Sequence, residues 1–146
     1  MIFEGVTRQN VAYVWVEAWN WLQPAIDRFS NGPSAASLFW SLQSGERQLW
    51  IAWDTDKDTV AAAIITEIIT YDPSPVKVCR VPWIGGRSMR KWIEPALRML
   101  TAWAIDHECR FMEGSGRRGW KRFGFEERGL HPETGLPILV KDLAEA

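Results

Sequence analysis

Between Val11 and Phe29 apolar side chains recur every three or four residues (Val11, Val14, Trp15, Ala18, Leu22, Ala25, Ile26, Phe29). That spacing predicts a helix with one buried face. Pro24 lies inside the run and predicts a kink or a fresh turn. Asn31-Gly32-Pro33 breaks the chain, and Ser34 or Ser37 can cap a second, short helix carrying Leu38, Phe39 and Leu42 and closed near Gly45. QLWIAWD (48–54) then alternates Leu49, Ile51 and Trp53 against Trp50 and Ala52. It reaches the polar turn DTDKD and continues as TVAAAIITEIITY (59–71), so these two strands form an antiparallel hairpin. The second strand is apolar on both faces, with Ala61, Ala63, Ile65 and Ile69 on one and Val60, Ala62, Ile64 and Ile68 on the other. It is predicted to be central and covered on both sides.

A third strand, VKVCRVPW (76–83), ends at Ile84-Gly85-Gly86. A long helix follows, with Met89, Trp92, Ile93, Ala96, Leu97, Leu100, Trp103 and Ala104 on its buried stripe, Pro95 as a second kink, and an end near His107. Residues 110–114 (RFMEG) return as a strand. A strand, a crossover helix and a strand in one sheet make a right-handed parallel unit. GSGRRGWKRFGFEERG supplies a short helical turn before Gly124-Phe125, and GLPILVKDL (135–143) is the last strand. The order is ααβββαβαβ, with room for one more short strand at the N-terminus. The expectation is a single α/β (α+β) domain over residues 1–146. Its central sheet is mixed and mostly antiparallel, with helices on both faces and one parallel strand-helix-strand unit.

The chain's 146 residues are enough to hide roughly 68–70% of the unfolded surface, so the fold needs no metal or disulfide staple. Hydrophobic residues at 47% and charged residues at 24% exclude a disordered chain. No apolar run approaches the roughly 20 residues of a membrane helix, and no secretory signal opens the sequence, which predicts a cytosolic address without a membrane partner. Cys79 and Cys109 have neither a CxxC nor a Cys/His spacing, which predicts reduced thiols and no metal site. The net charge of −1 disfavours a nucleic-acid partner. Two short segments are nonetheless basic, Arg87/Arg90/Lys91 and Arg117/Arg118/Lys121/Arg122, and ten tryptophans are spread over nearly every element.

The most informative segment is the strand that ends in Gly85-Gly86 before a helix. Unpaired backbone N–H groups there, at the positive end of the helix dipole, suit a phosphate or pyrophosphate. Glu67 lies on a strand among apolar residues, and Glu113 on the strand that returns after the long helix. Each is a candidate base, or else a carboxylate paired with a nearby arginine. Cys79, among Val78 and Val81, fits an inert core thiol better than a nucleophile. His107 and His131 have no partner at a triad or metal spacing.

This order of elements resembles the GNAT acetyltransferase superfamily, whose pyrophosphate loop usually reads R/Q-x-x-G-x-G/A. The aligned segment here is Trp83-Ile84-Gly85-Gly86-Arg87-Ser88: Gly86 and Ser88 fill the small positions, and Trp83 stands where Arg or Gln would be. Trp120, before Gly124-Phe125, stands where the superfamily has its catalytic tyrosine. Tyr13 and Tyr71 are the only phenols left to replace it. QLWIAWD, AAAIITEI, VCRV…IGG, AWAIDHECRFMEGSGRRGW and LVKDL resemble small GNAT-like proteins of tailed bacteriophages.

The resemblance implies an acetyl-CoA-dependent N-acetyltransferase in which an amine attacks the thioester directly. The cofactor would be held by Gly85, Gly86, Arg87 and Ser88, with Arg117, Arg118 and Trp120 bordering its groove. A strand N–H between Val81 and Trp83 would steady the oxygen charge, and Glu67 or Glu113 would act as base. The acceptor would be an amine on a small molecule or protein. The alternative is a catalytically degenerate GNAT-fold virion or assembly protein that binds another phage protein. The implied locations are the host cytoplasm or the virion.

Overall fold

The structure, a computed structural model, describes residues 1–71, 73–116 and 118–145. Among the described residues seven strands form one sheet: β1 (Ile2–Val6), β2 (Gln48–Asp54), β3 (Thr59–Thr70), β4 (Lys77–Gly86), β5 (Cys109–Ser115), β6 (Glu126–Leu130) and β7 (Pro137–Asp142). Their order across the sheet is β1-β2-β3-β4-β5-β7-β6, and β4–β5 is the single parallel pair among the described residues. The helices α1 (Val11–Ile26) and α2 (Ala35–Ser44) cover one face, and α3 (Met89–Asp106) covers the other. This is the mixed, mostly antiparallel α/β architecture expected from the hydrophobic pattern.

The extra N-terminal strand is present as β1, antiparallel to β2. Helix α1 stops at Ile26 rather than running to Phe29, two residues past Pro24, whose ring cannot donate to the preceding turn. Helix α2 has the ends its sequence predicts: the Ser34 side chain accepts from the Ser37 N–H, and Gly45 closes it in the left-handed region at φ 87°. The last expected strand is present as β7, and an unexpected one, β6 (EERGL), follows the helical turn and pairs antiparallel with it.

Two bulges set which residues face which layer. At Ala52/Trp53 the β2–β3 register slips, and Val60 joins Ala63 and Ile65 under α1 instead of the opposite face. Two side chains of α1 take up the peptide groups this slip releases: Glu17 accepts from the Val60 N–H at 2.9 Å, and the Trp21 indole donates to the Val60 carbonyl at 2.8 Å. In β4 the slip falls at Val81-Pro82, opposite Thr66. Proline is tolerated inside a sheet at such a bulge because it has no N–H to contribute. The bulge turns Trp83 toward α1 while Val81 and Ile84 stay on the α3 side.

Candidate functional site

β4 and β5 pair in parallel from Lys77/Cys109 to Val81/Gly114 and then part. β4 continues along β3 to Gly86, whereas β5 leaves toward β7. Antiparallel pairs alternate between hydrogen-bonded and non-bonded. The Arg87 N–H donates to the Ala61 carbonyl at 2.9 Å, which puts Gly85 and Trp83 in bonded pairs with β3. The backbone groups of Ile84 and Gly86 therefore point the other way, along the edge that β5 vacates. Beneath this fork, against α3, lies an apolar cavity of about 40 Å³, walled by Val81, Ile84, Leu97, Met112, Trp120 and Leu139. It has room for roughly one to three water-sized groups.

The glycine turn differs from its expectation. Gly85 and Gly86 lie inside β4, paired with Ala63 and Ala62, rather than beyond its end. Their missing side chains serve packing. A Cβ on Gly85 would overlap the carbonyl oxygen of Trp21 in α1, and one on Gly86 would overlap the Ala62 side chain. Arg87 does not reach into the fork: its Nη2 donates to Asp54 Oδ2 at 2.7 Å. Asp54 also accepts the N–H groups of Asp56 and Lys57, and the arginine holds its carboxyl below the usual range. Ser88 sits in the left-handed region at φ 57°, and its side chain makes no cap on α3. The two exposed cations of that helix's first turn are Arg90 and Lys91, and among the described residues neither is in an ion pair.

On the opposite face, directly behind the fork, Glu67 and Glu113 are brought together by one guanidinium. Arg80 Nη1 lies 3.5 Å from Glu67 Oε1, and its Nε lies 3.8 Å from Glu113 Oε1. Arg47 Nε donates to Glu67 at 3.0 Å, and the Tyr71 hydroxyl donates to Glu113 at 2.9 Å while accepting from Arg80 at 2.8 Å. The two carboxylates are 15% and 23% exposed. This partly buried chain of Arg47, Glu67, Arg80, Glu113 and Tyr71 holds both nominated bases and one of the two phenols. Trp83 packs beside it, edge-on to Phe29 and beneath Arg47, with its indole N–H buried and unpartnered among the described residues. Trp83 and Val81 thus face opposite sides of the sheet. Sequence reasoning missed Arg47, Arg80 and Ile84; the signal for the last was Pro82, a strand proline marking the bulge.

The cationic segment is partly spent on the protein itself. Arg118 makes a two-pronged pair with Glu127 (3.1 and 3.0 Å), which Lys121 joins at 2.9 Å, and together they hold the Glu127 carboxyl down at about 2. Arg122 lies over Phe123. Arg117 lies outside the described residues. Trp120, in a 3₁₀ turn (Arg118–Phe123), packs edge-on to Phe125 and walls the cavity. Burial pushes the Cys79 thiol up to about 12, so it is protonated and inert near neutral pH. Tyr13 is on the solvent side of α1. The His107 ring packs on Trp103, and His131 Nδ1 accepts from the Glu133 N–H. Among the described residues no group of three or more His, Cys, Asp or Glu could hold a metal ion, and no helix is long and apolar enough to cross a membrane.

No family model and no curated protein sequence matches the chain. Solved structures do. An aminoglycoside 6'-acetyltransferase type Ii superposes with a TM-score of 0.71 at 15% identity, covering 98% of this chain and 97% of that one. A GNAT-family acetyltransferase from Listeria monocytogenes 4b F2365 gives 0.62 at 13%, covering 97% and 94%. An acetyltransferase from Clostridium acetobutylicum, solved with acetyl-CoA, gives 0.63 at 11%, covering 87% and 90%. At these identities the likeness is one of architecture, and the chain has the fold of the GNAT acetyltransferases.

Proposed function

We propose that the chain is an acetyl-CoA-dependent N-acetyltransferase in which an acceptor amine attacks the thioester directly. The observation that supports this best is the fork. On one side of the sheet it offers the N–H groups of Ile84 and Gly86 above an apolar cavity, and immediately behind it stands the Glu67–Arg80–Glu113 chain. An extended, amide-bearing arm can lie along the vacated edge of β4 as an added strand does. Arg90 and Lys91 in the uncapped first turn of α3 would face its phosphates. This moves the oxygen-steadying donor from the Val81–Trp83 stretch to Ile84, because Pro82 has no N–H and Trp83 is paired to β3. Gly85, Gly86, Arg87 and Ser88 then shape the turn, with Gly86 alone donating from the edge.

Acetyl-CoA, when bound, supplies an activated acyl group and a thiol-like leaving group of pKa about 8.5, which needs little help to depart. The chain's task is to take a proton from an amine whose own pKa is near 10.4. Both carboxylates are paired to Arg80, so an incoming ammonium ion must displace that guanidinium from one of them, and the displaced contact positions the amine beside its base. A tailed-phage origin, and with it action in an infected host's cytoplasm, is part of the same proposal.

A second reading, a fold-retaining virion or assembly protein, draws on three observations. Trp120 replaces the tyrosine, Arg118 is committed to Glu127, and the cavity is small. Calorimetric titration with acetyl-CoA separates the two. Saturable one-to-one binding supports the enzyme; no heat at millimolar ligand overturns it and leaves partner binding.

A further inference from the structure

The outer surface of α1 and α2 has a composition unlike the rest of the molecule. Of 17 basic and 18 acidic residues in the chain, only Glu17 falls within these two helices of 16 and 10 residues. Glu17 is itself exposed, and its carboxylate accepts a hydrogen bond from the Val60 N–H, which holds that charge toward the sheet. What α1 and α2 show to solvent includes Tyr13 at 84%, Val16 at 74% and Trp40 at 64% exposure. Tyr13 and Val16 are three residues apart and so share one side of α1. Trp40 continues through Phe39 to Trp15 by ring contacts of 5.6 and 5.7 Å, which joins the two helices into one aromatic surface.

We propose that this face is where a second copy of the chain docks, in a symmetric dimer. Interface cores are depleted in charge and enriched in Tyr, Trp and Phe, and this surface is both. In a two-fold contact each patch meets its own likeness, so a patch rich in like charges repels itself, whereas one whose single carboxylate is held to the sheet carries little of that penalty. The net charge of −1 adds no long-range repulsion between copies.

Area points the same way. At 150–250 Å² per aromatic, Tyr13 and Trp40 together expose on the order of 300 Å² per copy, and a pair of copies supplies about half of the ~1,200 Å² at which specific interfaces begin. Val16 and the half-buried Trp15, Trp19 and Phe39 extend the patch further. A lipid surface fits less well, because helices that lie in a bilayer interface carry Lys and Arg on their polar face, and these helices carry none. The sheet edges are poor alternatives: β6 displays Glu126, Glu127 and Arg128, and β1 displays Glu4.

Sedimentation of the full chain from micromolar to near-millimolar concentration tests this. The expected result is a monomer–dimer equilibrium whose dissociation constant rises at least tenfold in the Val16→Glu/Trp40→Glu double variant, with the circular dichroism spectrum unchanged. If that variant loses helix signal, Tyr13→Lys, at the most exposed position, is read instead with the same expected rise. A chain that stays monomeric throughout, a dimer indifferent to these substitutions, or a monomer that co-floats with phosphatidylcholine vesicles overturns the proposal. None of these outcomes depends on acetyl-CoA binding.

Discussion

Gly85 is pressed against the backbone of α1, so its replacement is a test of packing rather than of ligand binding. Gly85→Ala is expected to cost about 1–3 kcal/mol in chemical denaturation, as overpacking does, whereas Gly119→Ala, with nothing within 4 Å of the added carbon, should leave stability within about 0.5 kcal/mol. Gly86→Val would strain the contact with Ala62 and so report on the fold before it reported on phosphate binding. The sequence shows the glycines but not what approaches them, because a close helix backbone and a bound phosphate demand the same small residue. Glu67 was legible as a strand carboxylate among apolar residues, and Glu113 as one on the strand after the long helix. Their common partner Arg80 was not, since the pairing depends on a register that shifts at Pro82. Under the proposed chemistry, Glu67→Gln or Glu113→Gln lowers turnover roughly 10²–10⁴-fold with acetyl-CoA affinity nearly unchanged. Full turnover in both variants, followed by thiol release, would remove both from the base role.

The 3₁₀ turn Arg118–Phe123 and strand β6 depend on each other through Glu127. Its carboxyl lies at about 2, against an ordinary 4.5. A group depressed in the folded state contributes stability that is present above its unfolded value and is lost as pH falls through the folded one. The turn should therefore hold at pH 5 and above and loosen between about 4.5 and 2. Arg118→Ala should return the Glu127 titration, followed by side-chain carboxyl NMR, toward the ordinary carboxylate range. A titration still near 2 would show that the arginine is not its cause. β6 escaped sequence reading because EERGL is an edge strand, nearly all polar, without the apolar alternation that marks a half-buried one. α2, by contrast, was legible to both ends because its stop and start are side-chain and backbone chemistry local to Ser34 and Gly45.

At the scale of the whole molecule, the sheet divides two kinds of chemistry: an apolar cavity and a cationic helix start on the α3 side, and a chain of carboxylates and guanidiniums on the α1 side, meeting where β4 and β5 part. Apart from β6, the order of helices and strands was readable from the sequence, and the parallel β4–β5 pair follows from a crossover helix. The fork was not, because parting of two strands leaves no mark in hydrophobic pattern beyond one proline. If the fork is the acetyl-CoA site, phosphate attraction among the described residues falls to Arg90 and Lys91, since Arg87 and Arg118 are committed to Asp54 and Glu127. The Arg90→Ala/Lys91→Ala pair should then weaken binding at least tenfold, and added salt should weaken the unaltered protein in the same direction. The most direct measurement is a backbone amide NMR titration with acetyl-CoA. The account predicts saturable shifts at Ile84, Gly86, Arg90, Lys91 and the Trp120 indole. No shifts at millimolar ligand, or shifts confined to α1 and α2, would contradict it.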